Sequence, residues 1–271
     1  MKFYTNVQLI GNQFLVRGVE NGRRYEHRDE FFPTLFVKSK KNLKTKYKTL
    51  SGESVEAINP GTVRECRDFY KRYEDVEGFE IYGNDRYIYQ YISDKYPEDE
   101  IKFDISQIKL VTLDIETTSE QGFPNVESCV EEILAITIQD YTTKQIITWG
   151  SKPFNNKQKN VTYNYCPNEY ELLTSFINYW MQDVPDVITG WNIQLFDIPY
   201  ICKRLERVLG EKLMKRFSPW GLVSESEVHI MGRTHTVFDV GGVTQLDYLD
   251  LYKKFTYKAQ ESYRLDYIAK V

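Results

Sequence analysis

What this chain lacks narrows the reading first. Its four cysteines, Cys66, Cys129, Cys166 and Cys202, form no CxxC pair and no zinc-like spacing, which argues against a disulfide scaffold or structural zinc and fits a reducing cytoplasm. No apolar run approaches the roughly 18 residues of a membrane span, and the opening MKFYTNVQLIG lacks a charged segment followed by a long apolar one. No membrane partner is expected. Positive charge is not in excess: 35 Lys and Arg stand against 39 Asp and Glu, a net charge of −4, which argues against a wholly basic nucleic-acid coat. Residues 1–108 carry 18 basic and 18 acidic side chains and residues 109–271 carry 17 and 21, so the acidic excess lies entirely in the second part. Repeats and low-complexity tracts are also missing.

Aromatic residues, in contrast, are abundant at 15%, with 21 tyrosines, and hydrophobic residues make up 41%. That composition belongs to an ordered globular chain. At 271 residues two domains are the default. The first third reads as a strand meander, KFYTNVQLIG, QFLVRGV and RRYEHRDEF, separated by Gly-Asn and Asn-Gly turns. Six lysines follow within eleven residues, Lys38 to Lys48, either a phosphate-contacting patch or a solvated loop. Val63, Cys66, Phe69, Tyr70 and Tyr73 have helical spacing, and the segment YIYQYISDKYPEDEIKFDISQIK reads as strands and turns. A boundary near residues 104–109 separates an N-terminal β-rich domain, 1–108, from a mixed α/β (α+β) domain, 109–271.

In the second domain LVTLDIE, ILAITIQD and KQIITWG read as strands, and residues 168–182 as a helix opened by Asn168 with Glu171 three positions on. DVITG is a short buried strand, and DIPYICKRLERVLGEKLMKR restores helical spacing. Strands flanking Met231-Gly232-Arg233 suggest a hairpin. Within LVTLDIE, Asp114 and Glu116 are two residues apart and so project from one face of a strand, with Ile115 pointing the other way. Paired carboxylates repel and raise each other's pKa unless a cation satisfies both, and an all-oxygen donor set suits Mg²⁺ or Mn²⁺ better than zinc. A solvated pair of acids would look the same. In ITGWNIQLFDIPYI, Asp197 sits where a helix begins, as a plain N-cap also would, Asn192 fits a loop with unusual dihedrals and Phe196 a core position.

Taken together, DIETTSEQGFP, TGWNIQLFDIPYI, MKRFSPWG and LDYLDLYKKF, with the opening MKFYTNVQLIG, resemble the N-terminal domain and proofreading exonuclease of family B DNA polymerases of the T-even phage type. The resemblance covers the whole chain and implies an RNase H-like exonuclease domain with a mixed sheet and flanking helices. It implies that Asp114 bridges two divalent metal ions, Mg²⁺ or Mn²⁺, that Glu116 completes one site and that Asp197 binds the second. Those metals would activate the attacking water and stabilise the leaving 3′ oxygen during removal of mispaired 3′-terminal nucleotides. Phe123 would stack near the frayed terminal base, Asn192 and Phe196 would shape the pocket, and Met231 and Arg233 would form the tip of a hairpin separating primer from template.

The implied partners are the single-stranded 3′ end of primer DNA, template DNA, the remaining polymerase segment or a partner chain, and, through the full enzyme, a sliding clamp and a single-stranded DNA-binding protein. One departure stands out. The family's third acidic motif, Tyr-x-x-x-Asp or His-x-x-x-x-Asp downstream of the second, is missing: Tyr25 to Asp29 and Tyr179 to Asp183 both lie upstream of Asp197. The expectation is therefore a polymerase fragment that stops before that motif, unable to extend a primer and weak or inactive as a nuclease. The alternative is a non-catalytic nucleic-acid-binding or assembly half of a split polymerase.

Overall fold

The computed structural model describes residues 2–39, 45–97, 101–120, 122, 124–230 and 232–270. Lys40, Lys41 and Lys44 of the lysine run, Phe123 and Met231 lie outside the described residues. The chain divides into two compact units, residues 1–107 and 108–271.

In the first unit β1 (Lys2–Ile10), β2 (Gln13–Glu20) and β3 (Arg23–Glu30) form an antiparallel meander. Asn21 and Gly22 both take positive φ, 52° and 77°, the geometry a two-residue hairpin turn requires. A second sheet orders β4 (Leu35–Lys38), β5 (Tyr47–Lys48), β6 (Ser54–Ile58) and β7 (Ile81–Tyr82) as β5-β6-β4-β7. Helix α1 (Val63–Tyr73) begins at a full capping box, Thr62 with Glu65. The segment after it corrects the sequence expectation: Tyr87–Lys95 is a helix, α2, not strand. Tyr87, Ile88, Tyr91 and Ile92 recur at helical spacing and face the core, overriding the β preference of tyrosine and isoleucine. Part of the tyrosine excess is thereby explained. Tyr91 donates to Asp29 Oδ2 at 3.1 Å and Tyr25 and Tyr96 share a 2.7 Å hydroxyl bond, so these large rings fill a core while their polar ends are satisfied.

The second unit is built on a six-stranded mixed sheet ordered β11-β10-β9-β8-β12-β15. Its members are β8 (Leu110–Thr117), β9 (Ile133–Asp140), β10 (Ile146–Gly150), β11 (Val161–Tyr165), β12 (Val187–Gly190) and β15 (Thr244–Asp247), with β9 antiparallel to both neighbours and the remaining pairs parallel. Between β12 and β15 the chain makes an antiparallel hairpin of β13 (Val223–Ile230) and β14 (Arg233–Val240). Helices α3 (Glu169–Trp180) and α4 (Asp197–Leu209) bury Leu172, Phe176, Ile198, Ile201 and Leu205 against Leu113, Ile115 and Ile136 of the sheet. This is the mixed α/β architecture of an RNase H-like domain. The long helix expected from Asp197 onward is broken at Gly210, whose φ of 88° ends α4 and leaves a separate turn, α5 (Glu211–Met214). Two short helices, α6 (Tyr248–Phe255) and α7 (Leu265–Ile268), close the described chain.

Candidate active site

Strand β8 alternates in burial as its sequence demands: Val111, Leu113 and Ile115 are buried, and Thr112, Asp114 and Glu116 lie on the opposite, open face. On that face Asp114 is in register with Thr137 of β9 and Glu116 with Ala135, and the ladder shifts between Glu116 and Thr117. The register break thus falls just beyond the second acid. The loop that follows is held by Thr118, whose N–H donates to the Glu132 carbonyl at 2.9 Å and whose hydroxyl accepts from the Glu132 N–H at 3.1 Å.

The third acid arrives from β12 and α4. Pairing of β12 with β8 runs from Val187–Leu110 to Thr189–Thr112 and then stops. At Gly190 an added Cβ would lie 2.5 Å from the Leu113 carbonyl and 2.4 Å from the Ile193 side chain, so only glycine allows this approach. The loop turns through Asn192, in the left-handed region at φ 64°, and enters α4 at Asp197. Asp197 is not an N-cap. Phe196 occupies that position without a side-chain bond, and Asp197, only 4% exposed, accepts from the Ile115 N–H at 3.1 Å through Oδ1. The second-motif acid is thereby attached to the backbone between Asp114 and Glu116.

Electrostatically the cluster is under tension. Burial and then the Asp114 carboxylate push the Asp197 pKa up to about 7, with Asp247 adding to the rise and the Ile115 N–H opposing it. Desolvation and then Glu116 raise Asp114 above the usual carboxylate range. A divalent cation held by these oxygen donors would relieve the repulsion. Among the described residues no group of three or more His, Cys, Asp or Glu converges closely enough to hold a metal ion unaided.

The remaining sequence-derived positions are distributed unevenly. Asn192 and Phe196 are in the loop before Asp197, and Phe196, half-buried, packs one side on the core and on Tyr200, ring centroids 5.5 Å apart. Arg233 stands at the free end of the β13–β14 hairpin, seven residues from the Val223–Val240 base, about 24 Å at a strand rise of ~3.4 Å. The hairpin is tied to the rest of the unit at two points, with Lys203 of α4 3.5 Å from Glu225 and Thr236, midway along β14, donating to Glu127 at 3.3 Å. Sequence reasoning missed Asp247. It ends β15, is 5% exposed and collects three backbone N–H groups; the one legible signal was an acid just before a helical run, an N-cap pattern.

The second unit thus combines a mixed sheet of the RNase H-like class with two neighbouring acids on β8 and a third delivered from the following helix α4. Residues 80–268 match the family described as DNA polymerase family B, exonuclease domain. The chain belongs to that family. It is 32% identical to the DNA-directed DNA polymerase of Escherichia phage RB69 and 33% identical to that of Enterobacteria phage T4, each match covering 99% of this chain and 32% of the relative. The DNA polymerase catalytic subunit of human herpesvirus 7 is 27% identical over 59% of this chain and 16% of its own length. The chain thus spans about a third of the length of the phage relatives it matches.

Proposed function

We propose that this chain carries the 3′-to-5′ proofreading exonuclease module of a family B DNA polymerase, with the single-stranded 3′ end of a primer as substrate. The bond from the Ile115 N–H to Asp197 carries the reading, because it joins the acid of one motif to the strand bearing the other two. Asp114, Glu116 and Asp197 would hold divalent cations, which when bound supply Lewis-acid activation of water and charge neutralisation at the phosphodiester. The chain's own residues set the geometry: β8 fixes the spacing of Asp114 and Glu116, and α4 presents Asp197 over the strand. Phe123, Asn192 and Phe196 are assigned to the pocket around the terminal nucleotide, and Met231 and Arg233 to a hairpin tip that meets the primer–template junction. Template DNA, the rest of the polymerase, a sliding clamp and a single-stranded DNA-binding protein are the partners the reading brings with it.

These 271 residues contain no Tyr-x-x-x-Asp downstream of Asp197, so the purified chain is expected to cut slowly or not at all. The same missing motif leaves a second reading, a nucleic-acid-binding piece that needs a further acid for chemistry. One assay separates them. With 5′-labelled single-stranded DNA and Mn²⁺, the nuclease reading expects slow shortening from the 3′ end that Asp114→Ala and Glu116→Ala abolish. Salt-sensitive binding that persists in Asp114→Ala without any cleavage supports the second. Cleavage that is equal in wild type and both variants contradicts the site.

A further inference from the structure

Asp247 lies in LDYLDLYKKF, one of the stretches that carry the resemblance, but has no place among the metal-binding acids, and three backbone N–H groups donate to its carboxylate. It is the last residue of β15 and stands in register with Gly190, the last residue of β12. Its Oδ1 accepts from the N–H of Asn192 at 2.9 Å and of Leu249 at 2.9 Å, and its Oδ2 accepts from the N–H of Gln194 at 3.0 Å. One buried side chain therefore caps α6 and holds the loop between β12 and α4 at two points.

That loop sets where Asp197 sits. The Asn192 carbonyl accepts from Leu195 and Phe196, and the Ile193 carbonyl from Ile198, so the turn pinned at 192 and 194 continues directly into the first turn of α4. The pinning also holds Asn192 in its left-handed conformation. At the far side, β12 has stopped pairing with β8 at Thr112, and the Ile115 N–H is taken by Asp197 Oδ1 instead. A carboxylate is needed at 247 because all three neighbours are donors; an amide would set its own N–H against one of them.

We infer that Asp247 is a positioning residue for the acid cluster, fixing the 191–196 loop so that Asp197 reaches the backbone between Asp114 and Glu116. The inference rests on the metal-binding reading above for its functional consequence, but its geometric content stands apart from it. Outer residues that orient ligands typically cost 10- to 100-fold in metal affinity when replaced.

The test compares Asp247→Asn with Asp186→Asn. Asp186 is equally buried, at the opposite end of β12, where its Oδ2 accepts from the Lys109 N–H at 2.9 Å, so it controls for general loosening of the same strand. Amide hydrogen exchange in the metal-free chain reads whether Asp197 still holds the Ile115 N–H, and calorimetry reads Mn²⁺ affinity. Asp247→Asn is expected to speed exchange at Ile115, Asn192 and Gln194 at least tenfold and to weaken Mn²⁺ binding at least tenfold, whereas Asp186→Asn leaves Ile115 exchange and Mn²⁺ affinity within about twofold. Asp247→Ser, which keeps a capping oxygen for α6 but gives up the carboxylate's reach to the loop, serves the same comparison if the amide variant folds poorly. Unchanged exchange at Ile115 in the Asp247 variants, or an equal change in Asp186→Asn, overturns the inference. Absence of Mn²⁺ binding by the wild type overturns the metal reading alone, and the exchange comparison still decides the role of Asp247.

Discussion

Glu169 and Asp197 make an instructive pair. Each is the first residue of a helix, α3 and α4, each is almost fully buried, and each accepts from a backbone N–H of a strand in the same sheet, Ile133 at 2.8 Å and Ile115 at 3.1 Å. Their surroundings differ in sign. Glu169 is met by Arg204, whose Nε donates at 2.8 Å and whose Nη2 pairs with the second oxygen, while the same guanidinium donates to the Cys129 carbonyl at 3.0 Å. Asp197 is met by Asp114 and Asp247. A buried acid with a full complement of donors ties elements together; a buried acid among acids stores repulsion that a bound cation would relieve.

Breaking the first arrangement should have the largest effect. Glu169→Ala strands Arg204 without its partner and frees the Ile133 N–H, and is expected to cost about 3–5 kcal/mol in urea unfolding. Asp197→Asn should act in the opposite direction. Because the folded-state pKa lies above that of an unfolded aspartate, the carboxyl favours the folded chain most below about pH 4, and this contribution is lost as pH rises towards 7. The amide keeps an acceptor for Ile115 and removes the charge, so without metal it should be more stable than wild type by about 2–4 kcal/mol at pH 8, with the gain vanishing near pH 4. A constant difference across that range would contradict the electrostatic account. Gly190→Ala drives a Cβ into the Leu113 carbonyl and Ile193 and should cost about 1–3 kcal/mol, with Mn²⁺ binding weakened as the loop shifts. The smallest effect is expected at the helix start beside Glu169: Asn168 accepts from the Glu171 N–H at 2.9 Å, and Asn168→Ala should cost about 1 kcal/mol.

Much of this was legible in the residues themselves. The alternation of LVTLDIE shows one open and one buried face, and Asn168 with Glu171 marks the start of α3. Other features needed the folded chain. β11 joins the sheet by parallel pairing with β10, which no local pattern announces. Residues 87–95 look like strand because tyrosine and isoleucine suit both structures, and only burial of Tyr87 and Tyr91 against a core selects the helix. At the site, Asp197 looks like an N-cap in sequence, and only its reach across to Ile115 shows otherwise. Asp247 shows its cap in sequence but not its hold on the 191–196 loop, which lies more than fifty positions away.

The most direct test of the central claim, that Asp114, Glu116 and Asp197 form an electrostatic site built for a hard cation, is urea unfolding at pH 8 with and without Mn²⁺. Wild type should gain stability as Mn²⁺ rises, by about 2.7 kcal/mol at a hundredfold excess over Kd, and Asp114→Ala should gain little. No gain in the wild type, or an equal gain in Asp114→Ala, would contradict it.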